Sequence, residues 1–356
     1  MKNLLLLFLM ITVFWSCDDM NGSLDYSPNS TPFIYNIFDY SSNSWSIGLS
    51  NTDGFIEKIL LTGKKGLSFM RWFHDGHRFL YASIDYNERD TSFLKIYNIL
   101  DNSNYKIWES NIDDIVDASI SPDNGSIVLS LIRYNGNTHT WVLAIINSDG
   151  SDFRIIHSAA DNWIMSPQFL SDNLIFFNLS TGGVHSISPA GDNLTRISGD
   201  TLGGIPGYAI DSKYQQIAYS AFTYGGGNKL FLTDFTGSDT RVIFDYEQDA
   251  LPLVGSYTVT EPEFSPDGKK LVFSRNKNYI TVLNLSDLHY QNYQVNFPSS
   301  VYNPSWTPDG NCILYALEDN LMKEIFILDL DSMIKPKLLE FENYDGPIFE
   351  LSHVKQ

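Results

Sequence analysis

The stretch FSPDGKKLVFS at residues 264–274 recurs in pattern as WTPDGNCILY at residues 306–315, with Pro-Asp-Gly identical in both. A third copy, ISPDNGSIVLS, occupies residues 120–130. In each copy an apolar residue precedes a Ser/Thr-Pro-Asp turn, in which Pro presets φ and a following Gly takes the positive φ of a tight reversal. An apolar strand follows at once. The cassette therefore predicts two short strands joined by a tight turn.

Weaker copies of this cassette occur along most of the chain. The turn aspartates, taken as markers, are Asp75, Asp123, Asp172, Asp211, Asp267 and Asp309. They are separated by 48, 49, 39, 56 and 42 residues. An upstream copy around Asn29, which lies 46 residues before Asp75, brings the count to seven. A period of this length is typical of the blades of a β-propeller.

Each unit also predicts a third and a fourth strand beyond the cassette. Residues 324–331 and 230–234 are typical third strands, and residues 241–244 and 337–341 are typical fourth strands. Four short strands make a propeller blade. We therefore predict an all-β chain with a single propeller of seven four-stranded blades. Six blades is the alternative, if the unit around Asp172 or Asp211 is not a blade.

The two ends of the chain predict how the ring closes. The N-terminal unit supplies three strands, at residues 33–38, 45–49 and 55–61, and lacks an innermost one. Residues 347–351, Pro-Ile-Phe-Glu-Leu, are the candidate for that missing strand. Closure by both termini would remove the open sheet edge that invites aggregation.

The cassette resembles the TolB-like, WD-type propeller repeat, whose hallmark is an aromatic residue, Ser-Pro-Asp-Gly and then an apolar strand. The resemblance covers the chain from about residue 27 to residue 353. It implies a cell-envelope protein that binds other proteins through its propeller. This chain departs from TolB in lacking the α/β domain that precedes the TolB propeller, so the partners of TolB itself are not carried over.

The first residues have the pattern of a secretory signal. Lys2 precedes an apolar stretch at residues 4–15, which is shorter than the ~20 residues of a membrane-spanning helix. Ser16-Cys17 ends this stretch and resembles the lipobox of bacterial lipoproteins, which implies acylation of Cys17. The alternative is ordinary cleavage nearby, with Cys17 as an incidental thiol.

This reading divides the chain into a signal peptide at residues 1–16, a flexible tether at 17–31 and the propeller at 32–356. The tether is rich in Asp, Asn, Ser and Pro, which bury too little apolar surface to order a segment. The other cysteine, Cys312, lies in an apolar strand and is expected to pack there. We expect a lipid-anchored protein of the cell envelope, held at the outer membrane and facing the periplasm or the exterior.

The formal net charge is -19, with Lys and Arg scarce and nowhere clustered. Nucleic acid is therefore not an expected partner, because its phosphates require a basic surface. The expected partners are an envelope protein or a glycan, together with the membrane reached through the lipid.

Several residues resemble metal or sugar sites but have a plainer interpretation. His74 and His77 have metal-like spacing yet occupy the turn of a cassette, and the pairs Asp149/Asp152 and Asp329/Asp331 fall where blades turn between their third and fourth strands. The 7 tryptophans and 20 tyrosines could form a sugar-binding face, but aromatic residues also fill the space between blades. We expect turns and core packing, with no metal and no cofactor.

The links between blades are the segments expected to reach the central axis and form a binding mouth. The candidate residues there are Asp113, Asp114, Asp161, Trp163 and Glu261. No catalytic residue is assigned, because the chain has no Gly-x-Ser-x-Gly, His-Glu-x-x-His or Gly-x-x-x-x-Gly-Lys-Ser/Thr motif.

The expected function is a non-enzymatic envelope lipoprotein whose propeller serves as a scaffold for binding a protein or another ligand. The alternatives are a carbohydrate-binding module with exposed aromatic platforms on one rim, and a glycan lyase or hydrolase with an acidic central site. Fold alone does not decide among them.

Overall fold

The computed structural model describes residues 31–39, 42, 44–52, 57–64, 66–85, 91–180, 183–198, 207–222, 228–245, 259–275, 278–295, 300–318, 322–332, 334, 337–342 and 351–353. The predicted signal peptide, Cys17 and all of the predicted tether except Thr31 lie outside these residues.

The described residues form 28 β-strands in seven sheets of four antiparallel strands, each sheet a blade. Blade 1 contains, from the inside outward, β28 (Leu351–His353), β1 (Pro32–Asp39), β2 (Ser44–Asn51) and β3 (Glu57–Lys64). Blade 2 contains β4 (Leu67–Trp72), β5 (Arg78–Asp85), β6 (Thr91–Asn98) and β7 (Asn104–Ser110). Blade 3 contains β8 (Asp113–Ile120), β9 (Ser126–Asn135), β10 (Thr138–Asn147) and β11 (Arg154–Ala159).

The remaining blades follow the same order. Blade 4 contains β12 (Ile164–Ser171), β13 (Leu174–Leu179), β14 (Gly183–Ile187) and β15 (Thr195–Arg196). Blade 5 contains β16 (Gly207–Asp211), β17 (Gln216–Phe222), β18 (Asn228–Asp234) and β19 (Arg241–Asp245). Blade 6 contains β20 (Val259–Phe264), β21 (Lys270–Arg275), β22 (Tyr279–Asn284) and β23 (Tyr290–Gln294). Blade 7 contains β24 (Ser300–Trp306), β25 (Cys312–Glu318), β26 (Met322–Asp329) and β27 (Lys337–Glu342).

The seven-bladed propeller predicted from the cassettes is confirmed. The units around Asp172 and Asp211, which left six blades as an alternative, are complete four-stranded blades 4 and 5. Among the described residues no helix is long and apolar enough to cross a membrane.

Closure of the ring by both ends of the chain is also confirmed. The C-terminal strand β28 is the innermost strand of blade 1 and pairs antiparallel with β1, with Phe33 opposite His353 and Tyr35 opposite Leu351. The predicted closing strand, 347–351, overlaps β28 at Leu351, and residues 347–350 lie outside the described part. Blade 1 therefore combines one C-terminal and three N-terminal strands, which leaves β1 no open edge.

Apolar side chains pack between blades and form one hydrophobic cluster at each of the seven interfaces. Between blades 2 and 3, for example, Leu94 and Ile96 pack with Leu129 and Val142. Tryptophans also fill these interfaces, as the sequence predicts: Trp45, Trp72, Trp141 and Trp306 are all buried. Burial of such large side chains between sheets makes each blade depend on its neighbours for its core.

The connections divide the propeller into two ends. Because neighbouring strands of a blade run antiparallel, the connections between first and second and between third and fourth strands lie at one end, here called the turn end. The connections between second and third strands and the links from blade to blade lie at the other end, the linker end. Thr31 and His353 both lie at the turn end, since β1 begins where β28 ends and the backbones of Thr31 and Thr52 are hydrogen-bonded there.

Candidate binding site

At the turn end, the turns of different cassettes are held by the same hydrogen bonds. The Ser265 hydroxyl donates to Asp267 Oδ1 (2.7 Å) and accepts from the Lys270 amide (2.9 Å), while Asp267 Oδ1 also accepts from the Lys269 amide (3.0 Å). Thr307 and Asp309 make the same bonds in blade 7. Asp267 and Asp309 therefore support their turns and are not free for chemistry.

The pKa values of these turn carboxyls follow from the same bonds. In blade 3 the Ser121 hydroxyl and the Gly125 amide both donate to Asp123, and they lower its pKa below the ordinary value. In blade 5 the side chain of Ser238, together with Thr236, lowers the pKa of Asp234 to about 2. A carboxylate held in this way stays ionised and works as an acceptor for the turn.

The residues that resemble metal sites in the sequence lie in turns. Asp75 accepts bonds from the backbone of His77 and Arg78 and pairs with the Arg78 guanidinium (2.6 Å). Asp149 and Asp329 each accept backbone bonds within their own turns, from Ser151 and from Ser332 respectively. Across the described ranges, no group of three or more His, Cys, Asp or Glu side chains is placed to hold a metal ion.

At the linker end, blade 3 presents two of the predicted residues, Asp113 and Asp114, at the start of its inner strand. Asp113 is buried and receives a two-pronged bond from Arg133, at 2.6 Å from Nε and 3.0 Å from Nη2, and a third bond from the Ser110 hydroxyl. This pairing with Asp113 raises the pKa of Arg133 above its ordinary value. These bonds occupy the Asp113 carboxylate and tie the start of β8 to β9.

Asp114 lies nearer the surface than Asp113. Its carboxylate accepts a bond from the hydroxyl of Tyr134 (2.9 Å) and one from the hydroxyl of Ser92 on blade 2 (3.2 Å). The Tyr134 ring is exposed and approaches the ring of His139 across the β9–β10 hairpin. Asp114 thus fixes an exposed aromatic ring on the rim of the propeller.

Blade 4 presents the other two predicted residues, Asp161 and Trp163, on the link that enters its inner strand. Trp163 is 56% exposed, and its ring lies 6.2 Å from that of Trp141, which is only 8% exposed. Backbone bonds with Ser180 hold Trp163 in place. Asp161 is exposed and has no hydrogen-bond or ion-pair partner within the described part of the chain.

These side chains form a surface that we call the rim patch. It consists of Ile112, Asp114, Tyr134, Asp161, Trp163 and Met165. Its four apolar members are all exposed. Its blade 3 members are joined by the hydrogen bonds of Tyr134 to Ile112 and Asp114, and its blade 4 members approach blade 3 where the Trp163 ring lies 6.2 Å from that of Trp141. Four of the five residues predicted for a binding mouth therefore lie at the linker end of adjacent blades.

The fifth predicted residue, Glu261, is placed differently. It lies on β20, the inner strand of blade 6, two blades beyond blade 4. Its side chain is outside the described part of the structure. The backbone alone puts Glu261 on the wall around the central axis and not in the rim patch.

A second polar group on the inner strands was not predicted. Arg71 on β4 pairs with Asp117 on β8 (2.6 Å), and the Tyr208 hydroxyl on β16 donates to the backbone oxygen of Ser166 on β12. Burial raises the pKa of Asp117 although Arg71 lowers it, and burial raises the pKa of Tyr208 well above its ordinary value. The negative charge of Asp117 is thus paired with the positive charge of Arg71 on a neighbouring inner strand.

A signal for this group exists in the sequence. Asp117, Ser166 and Glu261 each stand three residues before the apolar or aromatic residue that opens a cassette, at Ile120, Phe169 and Phe264. A polar residue therefore recurs at one fixed position of three inner strands. The aligned cassettes could have shown this, whereas the partner Arg71 follows only from the fold.

Solved structures of similar architecture include a TolB protein. TolB of Acinetobacter baumannii superposes with a TM-score of 0.54 at 12% identity, covering 92% of this chain and 67% of that one. The fold is a β-propeller similar to that of TolB. No family model matches the sequence, and no curated protein matches it either.

The propeller is also similar to two enzymes. An oligogalacturonate lyase of Vibrio parahaemolyticus has a TM-score of 0.65 at 14% identity, covering 85% of this chain and 92% of the other. A periplasmic gluconolactonase of Pseudomonas aeruginosa has a TM-score of 0.66 at 12% identity, covering 91% and 99%. At these identities the likeness is one of fold, and the ligand of this propeller depends on its own surface.

Proposed function

We propose that this protein is a non-enzymatic binding protein of the cell envelope, a lipoprotein anchored through Cys17, whose propeller binds a partner at its linker end. The observation that carries the proposal is the exposure of Trp163. The other described tryptophans are buried or half-buried, so Trp163, with more than half of its surface in water, is the exception among them. Exposed aromatic residues on a rigid rim are typical of binding surfaces.

The state of the nearby carboxylates supports binding over catalysis. A glycan lyase or hydrolase needs acidic groups free to exchange protons with a substrate. Asp113 is occupied by Arg133 and Ser110, and Asp114 by Tyr134 and Ser92, which leaves Asp161 as the unoccupied carboxylate of this mouth within the described residues. A single exposed carboxylate fits recognition better than acid–base chemistry.

The binding end is tested by photo-crosslinking in membranes of the native host. A benzoylphenylalanine replaces His139 at the linker end, and in a matched variant it replaces Leu288, an exposed residue of the turn end. We expect a protein adduct from position 139 and none from position 288. Adducts from position 288 alone, or from neither position, would contradict the proposal.

The anchor needs a separate measurement. Intact mass spectrometry of the protein from native membranes is compared with that of a Cys17→Ser variant. We expect a mature species that begins at Cys17 and carries added acyl mass, with the variant unmodified and released from the membrane. An unmodified wild-type chain would contradict the lipid anchor and would leave the proposed binding at the linker end unaffected.

A further inference from the structure

The rim patch combines apolar, aromatic and acidic side chains in a way that indicates what it binds. Ile112, Tyr134, Trp163 and Met165 expose apolar surface on two adjacent blades, and Asp161 exposes a carboxylate on the same link as Trp163. Trp, Tyr and Met are enriched where proteins bind each other, and here they lie exposed at the same end of two adjacent blades.

From this combination we infer that the rim patch docks a basic, partly apolar segment of a partner protein, with a Lys or Arg side chain recognised by the Trp163 ring and the Asp161 carboxylate. The inference rests on the proposed function and names the chemistry of its partner. An indole is the aromatic ring best suited to a cation, and a carboxylate beside it adds an ion pair.

Charge supports a basic partner. Asp161 is free among the described residues, and Arg133, which precedes Tyr134 in the sequence, is already neutralised by Asp113. The patch therefore offers acidic groups to a bound cation, and Arg133 adds no unpaired positive charge that would compete with it. The net charge of -19 would also attract a basic segment from a distance and speed its association.

The same residues are less suited to a sugar. A sugar hydroxyl needs donors as well as acceptors, and the Tyr134 hydroxyl already donates to Asp114, so the indole N–H of Trp163 is the one side-chain donor left among the described residues of the patch. Ile112 and Met165 offer no hydrogen bond from their side chains. Such aliphatic neighbours favour the apolar side chains of a protein segment.

The test measures binding of a labelled synthetic peptide of alternating Leu and Lys by fluorescence anisotropy, with a Leu-Glu peptide and maltotetraose as comparison ligands. We expect Trp163→Ala to weaken binding of the Leu-Lys peptide at least about tenfold. Asp161→Asn should weaken it about two- to fivefold and reduce its dependence on salt. The Leu-Glu peptide and maltotetraose should not bind.

The matched control is an exposed Asp-Leu pair at the turn end, Asp287→Asn with Leu288→Ala. It removes the same charge as Asp161→Asn and also removes apolar surface, and it should leave binding of the peptide unchanged. Equal weakening by the control would mean that the peptide responds only to net charge, which overturns the inference. Binding of maltotetraose that is lost in Trp163→Ala would overturn it in favour of a glycan.

The two proposals can fail separately. If position 139 crosslinks a protein in native membranes but Trp163→Ala and Asp161→Asn leave that adduct unchanged, the scaffold function stands and the basic segment does not. If no protein crosslinks at position 139, the proposed function itself is lost. Circular dichroism and the thermal midpoint of each variant confirm that its propeller is intact.

Discussion

At the scale of single residues, hydroxyls and carboxylates decide the shape of the turn end. Ser121, Ser265 and Thr307 play the same part in three blades, each bonded to the turn aspartate two residues later and to a backbone amide five residues later. The recurrence in different blades shows that the hydroxyl is the functional group of the turn and that Ser and Thr serve equally.

Replacing this hydroxyl provides a direct test. Ser265→Ala removes the bonds to Asp267 and to the Lys270 amide and should lower the free energy of unfolding by about 1–2 kcal/mol. Ser265→Thr is the matched control, because Thr307 already fills this role in blade 7, and it should stay close to the wild type. Urea unfolding followed by tryptophan fluorescence measures both, and equal stability of the Ala and Thr variants would contradict this role.

Two histidines at the interface of blades 3 and 4 predict a pH dependence. Burial lowers the pKa of His157 and of His185 below the ordinary value, and Arg196 lowers that of His185 further. The folded protein therefore keeps both rings neutral, while the unfolded chain takes up protons at higher pH. Their contribution to stability is complete above about pH 6.5 and is lost as the pH falls below it.

We expect the free energy of unfolding to decrease between about pH 7 and pH 5, and the decrease to be smaller in the double variant His157→Gln/His185→Gln. His139→Gln, which removes an exposed ring, is the control and should retain the slope of the wild type. Urea titrations at several pH values measure the slopes. An unchanged slope in the double variant would assign the effect to other groups.

At the scale of strands and turns, the turns between third and fourth strands connect each blade to the one before it. The glycine of this turn lies against a backbone oxygen of the preceding blade: a Cβ on Gly150 would fall 2.2 Å from the oxygen of Ile107, and one on Gly237 would fall 2.1 Å from that of Ile197. Both glycines have positive φ. These turns therefore set the spacing between blades.

A pair of glycine substitutions separates this close contact from backbone strain. Gly136→Ala places a Cβ in open space at a φ of +61, so it should cost about 1–2 kcal/mol of unfolding free energy. Gly237→Ala adds a collision with Ile197 at a φ of +76 and should cost about 3 kcal/mol or more. Thermal or urea unfolding compares them, and equal losses would mean that the contact between blades adds nothing.

The sequence predicted these strands more completely than their irregularities. The period of the cassette and its turn chemistry are local, so the number of blades and the closing strand could be predicted. The inner strands also shift register, at Met165/Gln168, Thr260/Glu263 and Tyr302/Ser305, each time around a proline, which has no amide for the ladder. Those prolines are visible in the sequence, but their effect depends on the partner strand.

The place of the candidate residues in the fold was predictable, and their contacts were less so. The links between blades indicated Asp113, Asp114, Asp161 and Trp163, and all four lie at the linker end. Asp113 is neutralised by Arg133, which lies 20 residues away on the neighbouring strand. Asp117 pairs with Arg71, which lies on an adjacent blade. Such contacts between distant residues follow from the tertiary structure and not from any local pattern.

At the scale of the whole molecule, closure through β28 and β1 decides whether the ring is a single cooperative unit. Phe33 and Tyr35 on β1 also pack with Leu314 and Ile325 of blade 7, so blade 1 is held both by its own ladder and by its neighbour. Seven interfaces of this kind make the ring continuous.

Removal of the closing strand tests the contribution of closure. Deleting residues 351–356 leaves β1 with an unpaired edge, and we expect a lower thermal midpoint, a loss of a few kcal/mol of unfolding free energy and association of the protein in solution. Deleting residues 354–356 alone keeps β28 and serves as the control. Light scattering after size exclusion, together with calorimetry, reads out both effects, and a monomeric truncated protein with the wild-type midpoint would contradict this view.

The shared position of Thr31 and His353 at the turn end has a mechanical consequence. A force that pulls these two ends apart acts across the β28–β1 ladder, so its hydrogen bonds open one after another, as in a zipper. A force between Thr31 and a partner held at the linker end acts along β1 instead, in shear, so several bonds must break together. A propeller tethered at Thr31 and loaded at its linker end is therefore pulled in the direction in which its closing blade resists most.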